Sequence, residues 1–159
     1  MEWVEGQIEG VIIKNLVKHV DERGFLVETF RIDEVPENLD LVMSYVTYNE
    51  PGVTRGPHEH NQQTDVFSFI GPGNFMIKLW DNRHDSKTYG NCMRFFAGED
   101  KLLTVIVPPG VVHGYKNVSK TTRGMVLNYP DKLFMGWGRQ EDVYEIRYEY
   151  MKDSPFSMD

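Results

Sequence analysis

Three histidines and one aspartate of the 159-residue chain have the spacing of a functional cluster. His58 and His60 stand one residue apart in "RGPHEHNQQTD", and Asp65 ends that stretch; His113 follows a Pro-Pro-Gly turn in "VPPGVVHGYKN". Residues i and i+2 of a strand point to the same face, so the first two imidazoles can converge on one point. Three imidazoles and a carboxylate suit a divalent first-row metal, whereas one imidazole alone can serve as a proton-transferring base. The plainer alternative is that these histidines are surface or hydrogen-bonded residues without a shared site.

Strands must position this cluster, because helical periodicity is almost absent from the chain. Short β-rich runs recur at intervals of roughly 8–14 residues and are separated by Gly, Pro, Asn and Asp, which is typical of an antiparallel sandwich or barrel. In "NFMIKLWD", Phe75, Ile77 and Leu79 share one face. The last candidate strand lies in "VYEIRYEYM", and we expect the C-terminal residues 151–159 to be loose.

Length, charge and cysteine content exclude several classes of protein. The length predicts a single domain over residues 1–159. The net charge of −7, with 17 basic residues scattered along the chain, argues against a nucleic-acid partner. No apolar run of about 18 residues exists, so we expect no membrane span. The single cysteine, Cys92, and the acidic start "MEWVEGQIEG" predict a cytoplasmic protein without a signal peptide.

The order of the cluster resembles the two motifs of the cupin superfamily. G-x-H-x-H-(four residues)-D falls within residues 56–71, and P-x-G-x-x-H-x-x-x-N falls within residues 98–117. The resemblance implies an all-β fold, a double-stranded β-helix or jelly-roll barrel over about residues 11–150 with short flanking helical turns. It also makes a divalent metal (Zn, Fe, Mn or Ni) the candidate cofactor.

Four further segments resemble a narrower family. "DERGFLVETF", "TRGPHEH", "LWDNRHDSKTYG" and "VIVPPGVVHGYKN" are similar to ordered motifs of the dTDP-4-dehydrorhamnose 3,5-epimerases. The resemblance implies an isomerase that acts on a 4-keto nucleotide sugar as a homodimer. Epimerisation next to a keto group needs a base, an enolate stabiliser and an acid, and it requires no cofactor.

The same resemblance implies roles for individual residues. Arg23 and Glu28 would contact the nucleotide, with Arg23 reaching across the dimer interface. Arg55 and Arg83 would hold the diphosphate or order the site, because the planar guanidinium matches phosphate oxygens. His58 would be the catalytic base.

The chain departs from the family at its other catalytic positions. Asp65 stands where the family has a lysine for the enolate, and an aspartate can do this only when protonated or holding a metal. Tyr129 is the available candidate for the acid, and the family's aspartate behind the base has no counterpart in "RYEYMKDSPFSMD". His60 replaces a common glutamine, while His113 is a candidate for substrate binding. The absence of the family's lysine and C-terminal aspartate removes groups that an epimerase uses, whereas His60 and Asp65 complete a metal-ligand set.

Three functions therefore remain open at this point. The first is an epimerase-like cupin that acts on, or binds, a 4-keto nucleotide sugar of the dTDP-4-dehydro-6-deoxyhexose type. The second is a metal-dependent enzyme that uses His58, His60, Asp65 and His113 on another small molecule. The third is a non-catalytic sugar-binding cupin.

Overall fold

Strands make up most of the structured chain. A computed structural model describes residues 2–142 and 145–159, which form thirteen strands and three 3-10 helices. The strands are β1 (Val4–Glu5), β2 (Ile12–Asn15), β3 (Lys18–Asp21), β4 (Gly24–Val27), β5 (Tyr45–Asn49), β6 (Thr54–His60), β7 (Asp65–Phe69), β8 (Asn74–Asp81), β9 (Asn91–Gly98), β10 (Leu103–Val107), β11 (Val111–Asn117), β12 (Gly124–Asn128) and β13 (Glu145–Arg147). The 3-10 helices are Ile32–Glu34, Trp137–Arg139 and Tyr148–Tyr150. Within the described ranges, no helix has the length and apolar character that a membrane crossing requires. The predicted all-β class with short helical turns is confirmed.

Two sheets pack face to face and enclose the main core. One has six strands in the order β1-β9-β8-β11-β6-β13, and the other has five in the order β2-β10-β7-β12-β5. The core takes buried side chains from both sheets, among them Phe67, Phe69, Phe75, Leu79 and Val105. Because neighbours in each sheet are distant in sequence and mostly antiparallel, the arrangement is that of a jelly roll.

Strand β8 shows why the sequence specifies this packing. Phe75, Ile77 and Leu79 are at most 3% exposed and point into the core, as the alternation predicts. Trp80 points to the other face of the six-stranded sheet and is also buried, at 4% exposure. Something outside the sandwich must therefore cover this outer face.

The C-terminal segment covers it, so the expectation that residues 151–159 are loose is wrong. Phe156 and Met158 are buried in a second apolar cluster with Trp80 and Val112. The Phe156 ring lies 5.6 Å from the Trp80 ring, measured between centroids. Lys78 Nζ also donates a hydrogen bond to the Ser157 carbonyl at 2.9 Å. The apolar residues of the tail seal the back of the sheet whose front carries the histidines.

Strand β13 extends the six-stranded sheet at its edge. The predicted strand "VYEIRYEYM" begins at residues 143 and 144, which lie outside the described ranges, and the observed strand is Glu145–Arg147. It pairs antiparallel with β6, with Glu145 opposite His60 and Arg147 opposite His58. The pairing therefore adds a carboxylate and a guanidinium beside the histidine strand.

Candidate active site

A cavity of about 760 Å³ lies between the two sheets. The six-stranded sheet contributes Arg55, His58, His60 and Glu145, and the five-stranded sheet contributes Tyr45, Thr47 and Phe67. Residues 130, 132–136 and 141–142 form a further part of the wall. Sites for small molecules generally have volumes of about 300–1,000 Å³, so the cavity can accommodate one.

The six-stranded sheet brings the three predicted histidines together. His58 and His60 share the inner face of β6, and His113 of β11 stands directly opposite His58 in the strand register. One ring nitrogen from each imidazole lies within 4.8 Å of the other two. The His58 and His113 rings are 4.5 Å apart between centroids, and those of His58 and His60 are 5.5 Å apart. The spacing of residues in the sequence therefore does produce a cluster.

Asp65 reaches the same cluster from the facing sheet. Its side chain is 1% exposed, and Oδ2 lies 3.3 Å from His60 Nε2 and 3.5 Å from His113 Nε2. The other oxygen, Oδ1, accepts hydrogen bonds from Gln63 Nε2 at 3.0 Å and Asn128 Nδ2 at 2.8 Å. One carboxylate oxygen is thus anchored by amides, and the other is left facing imidazoles.

Burial keeps the imidazoles of His58 and His113 neutral. The pKa of His58 is lowered to about 2, first by burial and then by the proximity of His113 and His60. Burial also lowers the pKa of His113, against the opposing effect of the Asp65 charge. A neutral imidazole has a free lone pair, which a base or a metal ligand needs.

His113 has one ring nitrogen without a hydrogen-bond partner in the described chain. Its Nδ1 lies 3.0 Å from the Val111 carbonyl, so Nδ1 carries the proton and Nε2 carries the lone pair. Nε2 is fully buried and makes no hydrogen bond with any described residue. It faces Asp65 Oδ2, a second acceptor, at 3.5 Å. Two acceptors at this separation repel each other unless a proton or a cation lies near both.

Glu145 is a member of the site that the sequence did not reveal. Its side chain is 8% exposed, and Oε1 lies 3.5 Å from His58 Nε2. Its Oε2 is 2.7 Å from Arg147 Nη2. The family resemblance implies an aspartate in a C-terminal tail, whereas the carboxylate here comes from a strand paired with the histidine strand. The available signal was the β-rich run around residue 145, whose glutamate lies directly opposite His60 once β13 pairs with β6.

Cationic side chains also line the cavity. Arg55 donates from Nε to Asn49 Oδ1 at 3.0 Å, which fixes the plane of its guanidinium. Lys132 and Arg147 line the same space. Arginine and lysine side chains at such positions suit phosphate oxygens or a developing enolate.

Arg83, a predicted substrate-binding residue, belongs to a buried network instead. It donates from Nε and Nη2 to the two Asp81 oxygens at 2.8 and 2.9 Å. Ser86 and Thr88 each donate to Asp81 Oδ2 at 2.6 Å. Burial would raise the pKa of Asp81, but these hydrogen bonds lower it to about 2. The D-x-R-x-x-S-x-T segment therefore fixes a loop, and Arg83 does not line the cavity.

Three other predicted residues also lie away from this chain's cavity. Tyr129 packs beside Val66 and Ile106, and its hydroxyl group shares a hydrogen bond of 2.9 Å with Thr29 Oγ1. Arg23 is 82% exposed and forms an ion pair with Asp21, while Glu28 accepts from Arg31 Nη1 at 3.3 Å. Tyr129 is therefore not among the described residues that line the cavity, and Arg23 and Glu28 lie on the outside of the chain.

A tyrosine that the sequence did not single out does reach the cavity. Tyr45, at the start of β5, lines the cavity wall, and its hydroxyl accepts a hydrogen bond from Asn128 Nδ2 at 2.7 Å. The Tyr45 side chain as a whole is 43% exposed, but desolvation of its hydroxyl group and the charge of Asp65 raise its pKa, although the hydrogen bond from Asn128 opposes this. The phenol is therefore protonated at neutral pH. Tyr45 carries no motif of its own, and only the pairing of β5 with β12 places it here.

This chain is similar to a family model, to curated relatives and to solved structures. The model of the family described as dTDP-4-dehydrorhamnose 3,5-epimerase matches residues 5–130. The chain is 38% identical over 116 residues to the spore coat polysaccharide biosynthesis protein SpsL of Bacillus subtilis (strain 168), covering 72% of this chain and 74% of SpsL. It is 33% identical over 144 residues to the probable low-salt glycan biosynthesis epimerase Agl13 of Haloferax volcanii, covering 90% and 88%. A crystal structure of a dTDP sugar isomerase from Desulfovibrio desulfuricans G20 superposes with a TM-score of 0.78 at 24% identity, covering 94% and 91%, which confirms the jelly-roll fold.

Proposed function

Because the chain belongs to the dTDP-4-dehydrorhamnose 3,5-epimerase family, we propose that it epimerises a 4-keto nucleotide sugar of the dTDP-4-dehydro-6-deoxyhexose type. The observation that carries the proposal is His58, a neutral imidazole on the wall of a sugar-sized cavity with a carboxylate against one ring nitrogen. The keto group makes the neighbouring C–H bond acidic enough for a protein base to remove the proton.

His58 is the base of this reaction, and Glu145 orients it. Glu145 Oε1 beside Nε2 favours the tautomer with the proton on Nε2, which leaves the Nδ1 lone pair to accept a proton. The separation of 3.5 Å is longer than a good hydrogen bond, but catalytic hydrogen bonds often tighten only when substrate binds. When the imidazole accepts the proton, the carboxylate stabilises the imidazolium. Glu145 thus supplies the carboxylate behind the base, because the C-terminal segment has no counterpart of the family's aspartate.

The cations of the cavity bind the negative charges of the substrate and of its intermediate. Arg55 and Arg147 present guanidinium groups that suit the diphosphate. Lys132 presents an ammonium group on the same wall, where it can stabilise the enolate oxygen in place of the family's lysine. No step of this scheme requires a cofactor.

Arg23 and Glu28 act only if two copies associate. Arg23 lies in the turn of the β3–β4 hairpin, and Glu28 directly follows it. The hairpin forms a sheet of its own, and Val17, Val20, Phe25 and Leu26 in and beside it are more than half exposed. An apolar surface of this kind is typical of an interaction site. A homodimer that covers the hairpin would allow Arg23 of one copy to approach the cavity of the other, where it can contact the nucleotide.

The test of this function is the rate of epimerisation of a panel of 4-keto nucleotide sugars. His58→Asn is expected to lower that rate by about 10²–10⁴-fold, because it removes the general base while keeping the shape of the side chain. His84→Asn is the matched control, because His84 lies on the surface against Tyr89. A His58→Asn enzyme as fast as His84→Asn would reject His58 as the base. Tight binding of the sugars without turnover by the wild type would instead identify a sugar-binding cupin.

The His113–Asp65 contact supports a second candidate function, a metal-dependent enzyme. His58, His60 and His113 have ring nitrogens within 4.8 Å of one another, and the lone pair of His113 Nε2 faces Asp65 Oδ2. A divalent ion (Zn, Fe, Mn or Ni) held by these three imidazoles and Asp65 would remove the repulsion between the two acceptors. Such an ion would supply a Lewis acid for a substrate oxygen. The donor set therefore fits a metal.

Metal binding is tested by elemental analysis of protein purified without a chelator. Occupancy near one ion per chain, lost in His60→Asn, is expected if the site holds a metal. The melting temperature of the metal-free protein should then rise on adding the ion, because a ligand that binds the folded state stabilises it. Less than about 0.1 ion per chain with no thermal shift would reject the metal-dependent candidate and leave the epimerase proposal untouched.

A further inference from the structure

The two sheets present different chemical groups to the cavity. All three imidazoles and Glu145 come from strands of the six-stranded sheet. Tyr45 comes from β5 of the five-stranded sheet, which forms the opposite wall. A sugar ring bound between the walls would have a base on one face and a phenol on the other. Inversion at a carbon requires this arrangement, because the proton must leave one face and return to the other.

A chain of hydrogen bonds orients the hydroxyl of Tyr45. Asn128 stands directly opposite Tyr45 in the strand register and is 1% exposed. Its Nδ2 donates to Tyr45 Oη at 2.7 Å and to Asp65 Oδ1 at 2.8 Å. A carboxylate oxygen accepts hydrogen bonds, so Asp65 requires the NH₂ end of the Asn128 amide. The same end of the amide faces Tyr45. The phenol oxygen therefore accepts from Asn128, and its own proton is directed to another acceptor.

Two other tyrosines of the cavity lack this position. Tyr115 lies on β11, on the same sheet as the imidazoles, and is buried in the core at 5% exposure. Tyr150 follows β13 and is 76% exposed. Of the tyrosines that line the described cavity, Tyr45 is the one that faces the histidines from the opposite sheet.

We propose that Tyr45 is the catalytic acid that protonates the intermediate on the face opposite His58, and that Asn128 and Asp65 are the residues that position it. This assignment rests on the proposed epimerase function. It also gives Asp65 a role that needs no metal, since the carboxylate that replaces the family's lysine anchors the amide that orients the acid.

The proton and electron balance of the step is complete without a co-reactant. His58 takes the proton from the carbon next to the keto group, and the C–H electron pair forms the enolate double bond while the carbonyl π pair moves to oxygen. The enolate carbon then forms a new C–H bond with the Tyr45 proton, and the O–H pair remains on the phenolate. Water carries the proton from the His58 imidazolium to the phenolate, which restores the enzyme.

Loss of the acid should separate proton exchange from inversion. In D₂O, His58 of a Tyr45→Phe enzyme can still remove the proton and return a deuteron to the same face. We expect this variant to exchange the proton next to the keto group while the rate of inversion falls by about 10²–10⁴-fold. His58→Asn should lose both processes, and Asn128→Ala should lower the ratio of inversion to exchange, which a purely structural role would not change. NMR of the labelled sugar measures exchange and configuration together.

Tyr48→Phe is the matched control, because Tyr48 lies three residues along β5 on its outer face and is 48% exposed. It should leave the inversion-to-exchange ratio unchanged, and melting curves should show that every variant is folded. A rate of inversion by Tyr45→Phe within about threefold of the wild-type rate would overturn the assignment. So would the opposite pattern, in which Tyr150→Phe exchanges the proton without inversion while Tyr45→Phe does both. A wild type that neither exchanges nor inverts contradicts the proposed function itself.

Discussion

At the scale of single residues, the sequence reveals the site residues that belong to a recognisable motif. It does not reveal those that only the pairing of distant strands brings into the cavity. His58, His60 and His113 stand in recognisable spacings, and β6 and β11 do bring them together. Glu145 and Tyr45 belong to runs without a motif, and they reach the cavity because β13 pairs with β6 and β5 pairs with β12. Strand pairing over such distances is not visible in local patterns.

Glu145→Gln tests the carboxylate that orients the base. The amide cannot stabilise the imidazolium as a carboxylate does, so we expect the rate of epimerisation to fall at least about tenfold with little change in KM. Steady-state kinetics on the preferred 4-keto nucleotide sugar measures both constants. Glu37→Gln, which changes an exposed glutamate, is the control. Equal rates for the two variants would exclude Glu145 from the mechanism.

At the scale of elements, the inner face of a strand was predictable and its outer face was not. The alternation in β8 correctly places Phe75, Ile77 and Leu79 in the core. The same pattern does not say what covers Trp80. Phe156 and Met158 supply the cover, although their polar neighbours give the tail the composition of a loose end.

Phe156→Ala is expected to destabilise the fold by about 3 kcal/mol, because it removes a buried aromatic ring that contacts Trp80 and Tyr148. Urea denaturation measures the free energy of unfolding. Met151→Ala is the control, because Met151 lies in the same segment but is 48% exposed. A loss below about 1 kcal/mol for Phe156→Ala would mean that the tail contributes little to stability.

The loop held by Asp81 should give an acid-dependent stability. The pKa of Asp81 is lowered from its usual 3.8 to about 2, so its hydrogen bonds stabilise the fold fully above about pH 4 and are lost as the pH falls through 2. Asp81→Asn should cost about 2–3 kcal/mol at pH 6, and the gap to the wild type should narrow from pH 4 downwards. Denaturant unfolding at several pH values measures this gap. A gap of constant size between pH 6 and pH 2 would contradict the ionised role of Asp81.

At the scale of the whole molecule, the jelly roll and the family could be predicted because four motifs occur in order along one domain-sized chain. Association into a dimer is harder to predict, because a single chain shows only which of its exposed surfaces a second copy could cover. The cytoplasmic location stays a prediction. The β3–β4 hairpin is the main candidate for a dimer contact, since it forms a sheet separate from the two main sheets and exposes apolar side chains.

Leu26→Asp is expected to shift the protein from dimer to monomer. A charge at this 61% exposed position opposes burial in an interface but leaves the core of the chain intact. Light scattering after gel filtration measures the mass, for which one chain contributes 18.5 kDa. Glu22→Gln, at the exposed turn of the same hairpin, is the control. A wild type of 18.5 kDa would instead show a monomer.

Uptake of solvent deuterium by the sugar tests both the epimerase activity and the role of His58 as its base. The protein is incubated in D₂O with dTDP-, UDP- and GDP-linked 4-keto-6-deoxy sugars, and NMR follows the carbons on either side of the keto group. We predict that deuterium appears at C3 or C5 together with inversion, and that both vanish in His58→Asn while His84→Asn retains them. Absence of exchange with all of these sugars, with or without added divalent metal, would contradict an epimerase, and unchanged exchange in His58→Asn would contradict His58 as its base.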